Sequence, residues 1–476
     1  MPAHPAGPRH EPAHLIGAPS KPGGPQDVIA LDPAVWPRNA GRGAEGQLEI
    51  ARVDVRDVAA AQPTPVFLLD EQHVRDAARD YTEAFNAGAQ ADVYYAGKAF
   101  LSARVAQWIH DEGLRIDVCT GGELAVAKAA GIPGPDILFH GNNKSEEELR
   151  AALEHGVGRF VVDSRIEIAR LAQLAQELDV RPNVLVRVTV GVEAHTHEFI
   201  ATAHEDQKFG LALADGSALE AVRSVAGLPE LELVGLHSHI GSQIFDPSGF
   251  EVAARRLVEF MLRLRDERSD GGAIPVTELN LGGGMGIAYT SEDTPLDVRD
   301  MAAALTGIVS AACSEAGLPP PRLAVEPGRA IVGPAGITLY TIGTVKDVTL
   351  DSGHVRRYLS VDGGMSDNIR TALYDAEYTV TLANRASEAE LVLCRIVGKH
   401  CESGDIIVRD AWLPQDLVPG DMLAVAGTGA YCRSMASNYN YLPRPGVLAC
   451  RDGELSTVLR RETVNDMLAL DAGIND

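Results

Sequence analysis

From Thr64-Pro65-Val-Phe-Leu-Leu onward, short apolar runs alternate with stretches whose apolar residues recur every three or four positions. Val74, Ala77, Ala78, Tyr81 and Phe85 form one helical stripe, and Leu101, Val105, Trp108 and Ile109 form another. Between such stripes lie candidate strands at 92–96, 116–118, 137–140, 159–162, 184–190, 233–238, 277–281 and 322–325. Ser145 and Glu148 have the spacing of a capping box, which predicts a helix from Ser145 to His155. Eight Val/Ile/Leu-rich strands separated by helices are the count of a (β/α)8 barrel. A doubly wound open sheet would show the same alternation, because counting strands does not show closure.

Beyond about residue 335 the texture changes. Thr338 to Val345, Arg357 to Val361, Tyr378 to Thr381, Leu391 to Val397 and Met422 to Ala426 are β-branched runs between Gly, Pro and Asp turns. They predict an antiparallel β domain of sandwich or barrel type. Residues 461–471 suit a short terminal helix. The expected organisation is a disordered Pro-rich tail at 1–27 and an N-terminal segment at 28–65 packing with the β domain. A barrel at 66–334 and the β domain at 335–476 complete it.

Composition narrows the function. A hydrophobic share of 45% and a charged share of 23% are those of a soluble globular protein. No apolar run approaches the roughly 18–20 residues of a membrane helix. A formal charge of −24 argues against nucleic acid or an anionic membrane as partner. The 6 cysteines are scattered without a CxxC pair, which fits reduced thiols in a cytoplasm better than a disulfide frame or a zinc site. His195-Thr-His197-Glu198 invites a metal reading, but no third ligand has suitable spacing, so no metal is expected.

In a barrel the chemistry collects where the strands end. After the first candidate strand comes Lys98, and after the sixth His237-Ser-His239-Ile-Gly-Ser242. The seventh is followed by Gly282-Gly-Gly-Met-Gly286 and the eighth by Glu326-Pro-Gly-Arg329. Each has a plain reading: a solvated lysine, a core histidine, a flexible turn, a structural ion pair. Each also has a chemical one. A desolvated lysine forms Schiff bases, and bare glycine amides approach a phosphate closely. A carboxylate that holds a pyridine nitrogen protonated makes that ring an electron sink. One ligand, pyridoxal 5′-phosphate, would use these three and give the histidine a flat ring as partner.

These motifs resemble those of the pyridoxal-phosphate decarboxylases of the alanine-racemase fold. Asp367-Asn-Ile-Arg370, Cys401-Glu-Ser-Gly-Asp405 and Gly429-Ala-Tyr431 are similar, more narrowly, to the diaminopimelate decarboxylases. The ordered set runs from about residue 64 to 445. The resemblance implies that Lys98 is the Schiff-base lysine, that His239 stacks on the cofactor ring and that Glu326 meets the pyridine nitrogen. Gly283, Gly284 and Gly286, with Ser242, Gly328 and Arg329, would hold the phosphate, and Tyr431 would lie beside phosphate and substrate.

It further implies removal of the carboxylate at the D-configured centre of meso-diaminopimelate, giving L-lysine and carbon dioxide. Arg329, Arg370 and Tyr374 would clamp the distal carboxylate, Glu402 would accept the distal ammonium, and Cys401 would return the proton. Cys401 and Glu402 are expected from the neighbouring subunit of a homodimer. A decarboxylase of ornithine, arginine or lysine is the alternative within the fold. A racemase is disfavoured, because racemases of this fold carry arginine where Glu326 stands. A silent cofactor-binding homologue would be expected to lack Lys98 or Cys401.

Overall fold

The computed structural model describes residues 21–24, 30–88, 90–192, 208–266, 274, 276–349, 353 and 355–475. Most of the expected tail at 1–27, and His195-Thr-His197-Glu198, lie outside the described residues. By contacts the chain divides into two compact units. One is Arg75–Gly286 with Pro295–Ile331, and the other Met1–Val74 with Ile287–Thr294 and Val332–Asp476.

The first unit is the barrel. Its strands are β1 (Ala91–Ala96), β2 (Arg115–Val118), β3 (Ile137–Phe139), β4 (Arg159–Val162), β5 (Asn183–Thr189), β6 (Glu232–His237), β7 (Glu278–Asn280) and β8 (Arg322–Val325). All neighbours pair in parallel, and β4 with β5 and β8 with β1 complete the circle. Closure excludes the open sheet. Tyr94, Leu138, Val161, Leu185 and Ala324 fill its core, as the apolar runs of the strands require.

The helices between the first strands start on side chains placed for the purpose. Ser102, Thr120, Ser145 and Ser164 each accept the third amide of the helix that follows, and Ser145 with Glu148 forms the expected capping box. Such a cap is worth about 1 kcal/mol. It fixes where each loop ends, and with it where the strand-end side chains stand.

In the second unit, Gly336–Thr349 is the long central strand. It pairs antiparallel with Val66–Asp70, with Met422–Ala426 and with Val355–Val361. Val66–Asp70 pairs in turn with Val447–Arg451, in parallel. The strand at 66–70 therefore counts with the β sheet, not with the barrel that patterning started at residue 66. Its five residues are all buried, and a fully apolar strand carries no mark of which sheet will take it. Strands at Ile406–Pro414, Val447–Arg451 and Glu454–Leu459 were not expected from the pattern. Val35, Trp36, Leu48, Ile50, Val55 and Val58 share one core with Ile337, Leu339, Ala424 and Leu448, so the described part of the 28–65 segment, from residue 30, is built into this unit.

Candidate active site

At the C-terminal mouth of the barrel the strand ends deliver a set of polar side chains. Gly97 continues β1 by donating its amide to Asp117 O at 2.9 Å, and a Cβ there would also meet that oxygen at 2.9 Å. Lys98 follows, with its side chain exposed. Its charge acts on Asp117, His237 and His239, so these groups share one neighbourhood.

Glu326, directly after β8, is buried. Oε1 lies 2.7 Å from His140 Nε2 and accepts from Asn280 Nδ2 at 2.8 Å, while His237 Nε2 is 3.4 Å from Oε2. Burial would raise this carboxyl, but the imidazoles of His140 and His237 outweigh it and hold Glu326 well below the usual range. Burial pushes His140 down to about 3, against the pull of Glu326, and lowers His237 as well. The carboxylate carries the charge, and because it can only accept, the ring nitrogens that face it are donors. Asp117 is the opposite case: burial, then the charge of Glu326, raise it well above the carboxylate range. His140, His237 and Glu326 stand close enough to hold a metal ion, but their facing atoms are already joined to one another.

The glycine loop after β7 is set by close approach. Gly282 has a φ of +70°, and its amide donates to Asn280 Oδ1 at 2.8 Å. A Cβ on Gly283 would stand 2.2 Å from Glu326 O, and one on Gly284, whose φ is +116°, 2.5 Å from Gly241 O. Gly286 donates its amide to Ile244 O at 3.0 Å, so it shapes the loop instead of offering a free donor. Gly328 packs on Ala96, where a Cβ would meet the Ala96 Cβ at 2.9 Å. Arg329 Nη2 donates to Ser242 Oγ at 2.9 Å. His239 Nδ1 accepts the Gly283 amide at 3.3 Å, and burial, then the Lys98 and Arg187 charges, hold that ring well below its ordinary value.

The structure thus brings Lys98, His239, Ser242, Gly283, Gly284, Gly286, Glu326, Gly328 and Arg329 onto one end of one unit. The remaining predicted residues are on the other unit. Cys401 and Glu402 are both exposed, and Cys401 is the only exposed one of the 6 cysteines. Their loop is pinned beneath, where Asp405 accepts the amides of His400 at 2.8 Å and Met365 at 2.6 Å. Glu402 Oε1 accepts the Tyr439 hydroxyl at 2.6 Å and lines a cleft of about 430 Å³ with Met365, Ile369, Ser437 and Tyr439. Arg370 is buried, its guanidinium 4.8 Å from the Tyr289 ring centre and donating to Tyr378 Oη at 2.6 Å. Its Nε has no acceptor among the described residues. Tyr374 is 61% exposed. Tyr431 has a φ of 57°, and two residues before it a Cβ on Gly429 would meet Val332 O at 1.9 Å.

Sequence reasoning passed over Asp117, His140 and Asn280, and assigned no role to His237. Each sits inside or directly after an apolar run, so each was absorbed into a strand. A polar residue in a run otherwise buried was the available signal.

The residues fit pyridoxal phosphate. Glu326 Oε2 keeps lone pairs spent only on a long contact, as a ring N–H needs. The glycine loop, Ser242 and Arg329 supply small backbone and a cation side by side, as a phosphate needs. Residues 71–333 match the family model described as "Pyridoxal-dependent decarboxylase, pyridoxal binding domain", and this class sets the cofactor as pyridoxal phosphate. The chain is 54% identical over 445 residues to a diaminopimelate decarboxylase of Mycobacterium tuberculosis, covering 94% of this chain and 99% of that protein. To that of Mycobacterium leprae it is 52% identical over 472 residues, covering 99% and 100%. The crystal structure of diaminopimelate decarboxylase from M. jannaschii in co-complex with L-lysine superposes with a TM-score of 0.83 at 30% identity, covering 91% of this chain and 97% of that one. The chain belongs to the diaminopimelate decarboxylase family and is a carboxy-lyase.

Proposed function

We propose that the protein decarboxylates meso-2,6-diaminopimelate at its D-configured centre to give L-lysine and carbon dioxide. The observation that carries this reading is the ionised, buried Glu326 at the barrel mouth, within reach of the same groups that feel the charge of Lys98. Relatives that bear the name diaminopimelate decarboxylase over nearly the whole chain support the substrate.

Bound pyridoxal phosphate supplies a protonated ring that takes up the electron pair left when carbon dioxide departs. Lys98 would supply the amine that holds the cofactor. Glu326 accepts the ring N–H and keeps that proton in place. His239, held well below its ordinary value by burial and the neighbouring cations, would lie against a ring face without adding charge. Ser242, Gly283, Gly284, Gly328 and Arg329 would hold the phosphate, with Gly286 keeping the loop in shape, and Tyr431 is assigned to the same phosphate by the family resemblance alone.

Substrate choice rests on the far end of the molecule. Arg329, Arg370 and Tyr374 take its carboxylate, and the unmet Arg370 Nε–H supports that role. Glu402 takes the ammonium, and Cys401 delivers a proton to the α-carbon. Desolvated pairs of this kind discriminate strongly against amines that lack the distal head group. The exposure of Cys401 and Glu402 supports a homodimer in which they serve the neighbouring subunit's site. Among the described residues no helix is long and apolar enough to cross a membrane.

Carbon dioxide release from meso-diaminopimelate, lysine, ornithine and arginine tests the substrate; turnover of ornithine without diaminopimelate would sink it. Lys98→Ala should abolish both turnover and the visible absorption of bound cofactor. Mixing Lys98→Ala with Cys401→Ala protein should restore activity if sites are shared between subunits. No recovery in a proven mixed dimer would refute the sharing.

A further inference from the structure

Glu has three side-chain torsions, and a carboxylate left to itself in a buried site swings or takes a proton. Around Glu326 the chain prevents both. His140 Nε2 at 2.7 Å and Asn280 Nδ2 at 2.8 Å converge on the same oxygen, Oε1. His237 Nε2 bridges the pair at 3.2 Å from Oε1 and 3.4 Å from Oε2. The His140 and His237 rings meet edge to face at 4.5 Å, so each fixes the other. The His140 amide donates to Val118 O at 2.8 Å, which anchors the backbone at the end of β3. All four residues are buried, Glu326 to 3% exposure and His140 to 7%.

We propose that His140 is a positioning residue: by donating Nε2–H to Glu326 Oε1 it keeps Oε2 as the oxygen presented to the cofactor's ring nitrogen. This rests on the reading of Glu326 as the ring-nitrogen partner. The tautomer follows from the network, since a carboxylate can only accept. The charges that bear on the arrangement are those of Lys98 and Arg187, while Asp117 faces the same His140 nitrogen at 3.7 Å.

The test uses holoenzyme of His140→Leu, which removes the donor, and His140→Gln, which keeps one. Measured are kcat, KM for meso-diaminopimelate, cofactor Kd by absorbance titration, and the visible band of the bound cofactor without substrate. A hydrogen bond to a charged group is worth enough to predict a fall of about 10- to 100-fold in kcat for His140→Leu. KM should hold, the cofactor should bind more weakly and its band should shift, while His140→Gln should recover most of each. Parent-like values in His140→Leu, or equal damage in His140→Gln, would overturn the proposal. Glu326→Gln separates the two readings. If it keeps the parent kcat and band, the Glu326 role itself falls; if it loses them while His140→Leu does not, only the His140 inference falls. Should His140→Leu not fold, nitrogen-15 NMR of histidine-labelled parent holoenzyme decides, because the proposal requires a proton on His140 Nε2 and an unprotonated Nε2 overturns it.

Discussion

Gly283→Ala is the smallest change that should disturb this site without touching a polar group. The added methyl would stand 2.2 Å from the Glu326 carbonyl oxygen and 3.1 Å from its carbonyl carbon. A carbon–oxygen contact of this kind wants roughly 3.3 Å, so backbone must move by about 1 Å. Neither atom is the far end of a flexible side chain. The Glu326 amide is tied to Gly282 O at 2.9 Å, and its carboxylate to His140 and Asn280, so the shift passes into the carboxylate. Overpacking of this size costs about 1–3 kcal/mol in stability, and a displacement of about 1 Å at a reacting site costs on the order of 100-fold in rate. Gly307→Ala is the control. It lies exposed in the helix Val298–Glu315 with nothing within 4 Å of a Cβ, where alanine should stabilise by up to about 1 kcal/mol and leave turnover unchanged. Carbon dioxide release, melting of cofactor-free protein and cofactor titration read the three effects. Parent-like kcat and melting in Gly283→Ala would refute the close approach, and equal losses in both variants would refute its specificity.

Burial raises Asp367 to about 7, against donation from the Tyr340 hydroxyl and the Gly364 amide. Its folded-state value lies above the unfolded one, so the stability is complete below about pH 4 and is lost as pH rises through about 7. At about 1.4 kcal/mol per unit the loss is at most about 4 kcal/mol; Asp367→Asn should flatten the fall in melting midpoint between pH 5 and 8, and an unchanged slope would contradict it. Lys144 is buried against Glu167 at 2.6 Å. Lys144→Met should therefore cost about 3–5 kcal/mol by leaving that carboxylate alone, with Lys144→Met/Glu167→Leu recovering part of it in denaturant melts. Cys401→Ala should lower kcat by at least about 100-fold while cofactor absorbance stays as in the parent; full turnover would end its assignment as proton donor.

Local signals carried the barrel far. A strand buried on both faces must be apolar, and a helix start needs a capping side chain, so strands such as Arg159–Val162 and the Ser145 cap stand in the sequence almost as they stand in space. The placement of Lys98, Gly283 and Glu326 at one end of the barrel was legible for a related reason: each follows a strand, and strand ends of a parallel barrel share one face.

What the sequence could not carry is pairing between distant segments. Val66–Asp70 has the same apolar texture as a barrel strand, and only its partners Gly336–Thr349 and Val447–Arg451 make it part of the β sheet. The strand Ile406–Pro414 alternates burial irregularly and is defined by its pairing with Leu391–Val397. The same limit hid the support of Glu326. His140 and Asn280 are 186 and 46 residues from it in sequence, and only closure of the barrel sets their nitrogens against its carboxylate. The ordered strand-end motifs carried the family resemblance; the tertiary structure decided which buried donors surround Glu326, because that depends on burial and on distances no linear pattern encodes.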